Sequence, residues 1–200
     1  MKRRFALLAF ILCLTCILCG CEKYPSQAAD GSVWDKNWTM LGSAMGVEEP
    51  GNGFALLDNN LALAVSDTYL AMWTSGEPIP YVNADGDEMD IYEAQIYLLL
   101  LSCKDAQSAQ AAVDDWVLRE GETYTVTDTR TETFNGQEYT VLNYLTRSET
   151  NPYSRGVVCF AVFENYAVNV ELACLEEYAG DETAVMAAFL EGCHYSAELA

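Results

Sequence analysis

A single histidine, ten basic residues and the absence of any internal repeat limit what this chain can do. A Ser-His-Asp or Cys-His mechanism would have to run through His194, which sits beside Cys193 and Tyr195 near the end of the chain. A lone histidine just past a helix is ordinarily held by the helix dipole and not by a reaction. No G-x-S-x-G occurs, and Gly42-Ser43-Ala44-Met45-Gly46 has the wrong spacing for a nucleophile elbow. The G-x-G-x-x-G and P-loop spacings, which cradle nucleotide phosphates, are also missing. No catalytic set and no cofactor are therefore expected. The shortage of lysine and arginine, set against 30 acidic residues, disfavours nucleic acid and docking to anionic headgroups by a basic face. Such a field attracts cationic partners, and it also keeps a protein in solution at a crowded surface.

Three of the basic residues stand in Met1-Lys2-Arg3-Arg4, and Phe5 to Leu18 follows without a charge. This is the charged start and apolar run of a secretory signal. A spanning helix needs roughly 20 apolar residues, and this run is shorter. Leu18-Cys19-Gly20-Cys21 then resembles the bacterial lipobox. The resemblance implies cleavage after residue 20 and a diacylglycerol thioether on Cys21. It also implies a chain held by lipid on the extracytoplasmic face of a cell membrane. Two or more acyl chains are needed for a stable hold. Residues 21–33 are polar, contain Pro25, Gly31 and Ser32, and read as a tether. A single acidic domain is expected over 34–200. Removing residues 1–20 leaves seven basic residues against 30 acidic ones, a net charge of −23.

Four cysteines fall in that domain: Cys103, Cys159, Cys174 and Cys193. None lies near another, so they form no zinc-type C-x-x-C pair. An exported chain permits two disulfides among them, in any of three connectivities. Their apolar neighbours equally suit buried free thiols.

Glu49-Pro50-Gly51-Asn52-Gly53 is a strong break. Phe54 to Leu57 reads as a strand, Asp58-Asn59-Asn60 as a turn, and Tyr69 to Thr74 as a second strand. Thr74-Ser75-Gly76-Glu77 turns the chain back into Ile79 to Val82, and Asp85-Gly86 signals a type I′ hairpin. Ala94 to Cys103 is the most apolar segment and is expected to be a central strand. Asp105 caps the helix that follows. Ala109, Ala112, Val113, Trp116 and Val117 make one apolar stripe on it, and Gly121 ends it. Asn135-Gly136 joins two alternating runs, Thr123 to Phe134 and Tyr139 to Leu145. Gly156 to Phe163 and Ala167 to Leu175 form a further hairpin about Glu164-Asn165. A last helix starts at Asp181, turns Val185, Met186, Phe189 and Leu190 inward and stops at Gly192. The fold class is α+β, a largely antiparallel sheet with two main helices packed against it.

This element order resembles the PsbP/DcrB-like α/β/α sandwich over roughly Phe54 to Tyr195. That group includes the photosystem extrinsic protein PsbP, bacterial lipoproteins such as DcrB and a Ran-binding nuclear import factor. The resemblance carries no catalytic motif. It implies a binding or assembly module, although a fold alone does not set a function.

The richest acidic cluster, Asn83-Ala84-Asp85-Gly86-Asp87-Glu88-Met89-Asp90, fails the EF-hand register. With Gly86 at the turn, the first and twelfth ligand places fall on Tyr81 and Tyr92. It reads as a solvated hairpin tip, so no metal is expected. Among the aromatics, Trp116 belongs to the helix stripe, while Trp34 and Trp38 are the candidates for a ligand-stacking surface. The expected role is a non-enzymatic binding or assembly module of the cell envelope, with an unknown protein or small ligand as partner. The alternatives are a small-ligand or glycan receptor and a hydrolase working through carboxylates alone.

Overall fold

Residues 94–102 alternate inward and outward with such regularity that they must lie between two packed faces. The computed structural model describes residues 38–41, 45–58 and 68–195. The signal peptide, Cys21, the tether, Trp34 and most of the Asp58-Asn59-Asn60 turn lie outside the described residues, as do the side chains of residues 38–40. Chain order is β1 (Trp38–Leu41), β2 (Met45–Glu48), β3 (Phe54–Asp58), β4 (Thr68–Ser75), β5 (Ile79–Val82), β6 (Glu88–Ile91) and β7 (Ala94–Ser102). Then come α1 (Ala106–Thr123), β8 (Tyr124–Phe134), β9 (Gln137–Thr146), β10 (Arg155–Phe163), β11 (Tyr166–Cys174), α2 (Glu182–Glu191) and β12 (Cys193–Tyr195).

Seven strands form the main sheet in the order β3-β4-β7-β11-β10-β9-β8, and every pairing is antiparallel. The class is thus α+β with a mostly antiparallel sheet and two helices. On one face, Ile96, Leu98 and Leu100 of β7 and Val168, Val170 and Leu172 of β11 share a core with Met186, Phe189 and Leu190 of α2. Trp73 is wholly buried there, edge-on to Phe189 at 5.0 Å. Each of these large apolar side chains contributes about 1.5–3 kcal/mol on burial. On the other face, Ala109 and Val113 of α1 pack with Leu142, Val158, Phe160 and Ala167.

Local chemistry accounts for the ends of the elements. Asp105 caps α1 by accepting from the Ser108 N–H at 2.8 Å, and Asp181 caps α2 by accepting from the Ala184 N–H at 3.0 Å. Asn135 and Gly136 both take positive φ, 45° and 79°, as a two-residue type I′ turn requires.

Four expectations need correction. Helix α1 runs through Gly121 to Thr123, because the Tyr124 N–H still donates to the Glu120 carbonyl and Arg147 donates to that of Glu122. The Asp85-Gly86 turn is not type I′. Only Gly86 has positive φ, and the loop closes through the Asn83 N–H to the Asp87 carbonyl. Strand β5 does not join β4; it pairs with β6 alone, and β7 takes the place beside β4. Pro78 and Pro80 remove two N–H donors that a central ladder would need. Finally, β1, β2 and β12 build a second sheet where no strands were expected. It closes the α2 face, with Leu41, Met45, Val47 and Cys193 in the same core.

Candidate functional site

Strand β11 reads Tyr-Ala-Val-Asn-Val-Glu-Leu-Ala-Cys, and Glu171 is its one charge. Val170 and Leu172 point into the α2 core, so alternation sends Glu171 to the α1 face. There it lies between Tyr97 of β7 and Val158 of β10. A carboxylate in such a place needs partners. Tyr144 donates its hydroxyl to Glu171 Oε1 at 2.5 Å, and Tyr124 donates to the same oxygen at 3.4 Å. The two rings stack at 4.0 Å and 15°.

Tyr144 reaches β11 from β9 by lying across β10, where its cross-strand partner is Gly156. A Cβ at Gly156 would sit 2.6 Å from the Tyr144 hydroxyl and 2.1 Å from the Leu172 carbonyl oxygen. The glycine is therefore a condition of the Tyr144–Glu171 bond.

Burial pushes the Glu171 carboxyl upward, and the two tyrosine hydroxyls oppose that rise. Burial first and the nearby Glu171 second push Glu120, at the end of α1, up to about 7. Tyr97, Tyr124 and Tyr144 are all raised by burial and then by Glu171, so each keeps its proton and acts as a donor.

Glu171, Tyr97, Tyr124 and Tyr144 line a cavity of about 220 Å³ together with Gln95, Asn151, Tyr153 and Ala173. A hollow of about 450 Å³ shares Gln95, Asn151 and Tyr153 with it and adds Leu57, Met72, Met89 and Pro152. The two make one cleft, bounded by the end of α1 on one side and by the β5–β6 hairpin and the 148–153 loop on the other. Tyr81 ties hairpin to loop by donating to the Thr150 carbonyl at 2.9 Å. Tyr153 donates to Gln95 Oε1 at 3.0 Å. No lysine, arginine or histidine lines either part.

The residues singled out from sequence lie elsewhere. Trp34 is outside the described residues, and only the backbone of Trp38 is described, in β1. Trp116 packs on Phe160 at 6.2 Å, in the core under α1. His194 belongs to β12, opposite Gly46. Cys103, Cys159, Cys174 and Cys193 are free thiols, the last three buried, and burial raises all four. In the acidic hairpin, Asn83 Oδ1 accepts from the N–H groups of Asp85 and Asp87, which spends that oxygen on the turn itself. Among the described residues there is no group of three or more His, Cys, Asp or Glu able to hold a metal. No described helix is long and apolar enough to cross a membrane. The site residues missed from sequence are Glu171, Glu120, Gly156 and the tyrosines at 97, 124, 144 and 153. One signal was present: a lone charge in the middle of a mostly apolar strand.

No family model matches the chain, and no curated protein matches it. Among solved structures it is similar to the solution structure of cyanobacterial PsbP (CyanoP) from Synechocystis sp. PCC 6803. The TM-score is 0.38 and the identity 8%, over 70% of this chain and 98% of the other. At those values the likeness carries no argument, and the site is read from its own geometry.

Proposed function

We propose that this chain is a lipid-anchored, extracytoplasmic binding module, and that the cleft around Glu171 is where it holds a small ligand. One observation carries the reading: a carboxylate borders a cavity on the sheet face, held there by two tyrosine hydroxyls and by a glycine that leaves room for one of them. A buried carboxylate carries a desolvation cost that an apolar residue in its place would not, and its presence here argues for use. The anchor rests on the residues before and at Cys21. The finer assignment of the sheet to the PsbP/DcrB-like sandwich rests on element order. The concave site favours the receptor form of the module over one that only assembles with proteins.

The test is thermal denaturation of the purified chain against panels of amino acids, amines, sugars and short peptides. A ligand at a hundred times its Kd stabilises by about 2.7 kcal/mol, a readily measured shift. A flat response across every panel sinks the reading. Mass spectrometry of the N-terminal peptide tests the anchor, which requires added lipid mass on Cys21 and its loss in Cys21→Ser.

A second reading has one observation in its favour. Burial and then Glu171 raise the proton affinity of Glu120, and unequal carboxyls of this kind are how acid and base roles are separated in carboxylate hydrolases. Turnover of glycoside or ester panels, abolished in Glu171→Gln, would establish it over simple binding.

A further inference from the structure

The use of the cleft as a ligand site leaves open what it takes. We propose that it binds a small organic cation, an ammonium group carried on an apolar body, with Glu171 opposite the charge and tyrosine rings around it. This rests on the reading of the cleft as the binding site and adds the class of ligand.

The first argument is the unfilled half of the carboxylate. Both tyrosine hydroxyls converge on Oε1, and no described residue donates to Oε2. An ammonium brings donors and the opposite charge together, giving bonds roughly twice as strong as neutral ones. The second is the surrounding charge. Glu120 stands close enough to Glu171 to feel it, and α1 directs its C-terminal end, with its partial negative charge, to the same place. Asp90 lines the adjoining hollow, and no basic residue lines either part.

The third argument is the walls. Tyr97, Tyr124, Tyr144 and Tyr153 border the cavity, and aromatic rings attract organic cations. The neighbouring hollow carries Leu57, Met72 and Met89, a fit for a carbon skeleton. A bare divalent ion is disfavoured, since calcium takes six to eight oxygen ligands and the inner cavity offers one carboxylate and two side-chain amides.

Isothermal titration of the purified full chain separates the outcomes. The probes are phenethylamine against phenethyl alcohol, and choline against its uncharged carbon isostere. Phenethylamine should bind at least about tenfold more tightly than its alcohol, a gap set by the charge-assisted bond and the aromatic rings, and choline, which has no N–H, should exceed its isostere through charge and the rings alone. Glu171→Gln, which still accepts from both tyrosines, should erase most of that gap while leaving the neutral analogues unchanged. Glu120→Gln, at the half-buried helix end, should narrow it by a smaller factor. Equal binding of amine and alcohol overturns the cation proposal. If neutral sugars or alcohols then bind and Tyr97→Ala abolishes them, the cleft stands with another ligand class. If no probe of either kind gives heat, the cleft fails together with the proposal.

Discussion

The two faces of the seven-stranded sheet are built to different standards. The α2 face is sealed: a helix and a three-stranded sheet cover it, and Trp73, Met186, Phe189 and Leu190 are all almost wholly buried. The α1 face is covered for part of its length by α1 and then left open as a cleft holding a carboxylate, four tyrosines and two amides. The same strands serve both, one residue in two for each. Stability is concentrated on the first face, and polarity is tolerated on the second because the first can carry it.

The sharpest way to break the comparison is on the sealed side. Phe189→Ala should cost about 3–5 kcal/mol, read as a lower urea midpoint with an unchanged slope. If it costs under about 1 kcal/mol, the α2 core is not the anchor of the fold. Next, Gly156→Ala should cost about 1–3 kcal/mol through overpacking, because its Cβ has no room beside Tyr144 and Leu172. Pairing it with Tyr144→Ala should recover part of that loss in a double-mutant cycle.

Tyr144→Phe removes the shorter donor to Glu171 and should cost about 1–3 kcal/mol. Its carboxyl should also rise further, visible in the carboxyl carbon shift against pH. The smallest effect is at Glu120, whose carboxyl holds its proton to about 7 against an ordinary 4.5. A raised carboxyl favours the folded chain fully below 4.5, and that favour is lost as pH climbs from 4.5 to about 7. Glu120→Gln should therefore flatten the fall in melting temperature across that window and leave the acid side unchanged. An identical slope in both proteins would remove Glu120 from the account.

Much of the frame could be read from residue order. Asn135-Gly136 announced its hairpin because two adjacent positive φ values have few other solutions. Asp105 and Asp181 marked both helix starts. Strand β7 was recognised as central, its apolar run matching a strand covered on both faces. The small sheet was invisible, since β1, β2 and β12 have only three or four residues each and Gly46 falls inside β2. The departure of β5 from the sheet was in principle marked by its two prolines. The cleft was not legible, because it depends on register: Tyr144 faces Gly156, and Tyr97 faces Glu171, across strands 12 to 74 residues apart. Tyr97, Tyr124 and Tyr144 sit in strands and Tyr153 in the loop before β10, and each looks, one at a time, like an ordinary packing residue.

The small sheet has a geometric consequence. Trp38 enters the domain through β1, and β12 closes it through β2, so the first and last described strands leave from the same side as α2. A chain moored by the residues ahead of Trp38 hangs from that side. The cavity around Glu171 lies on the opposite face of the sheet.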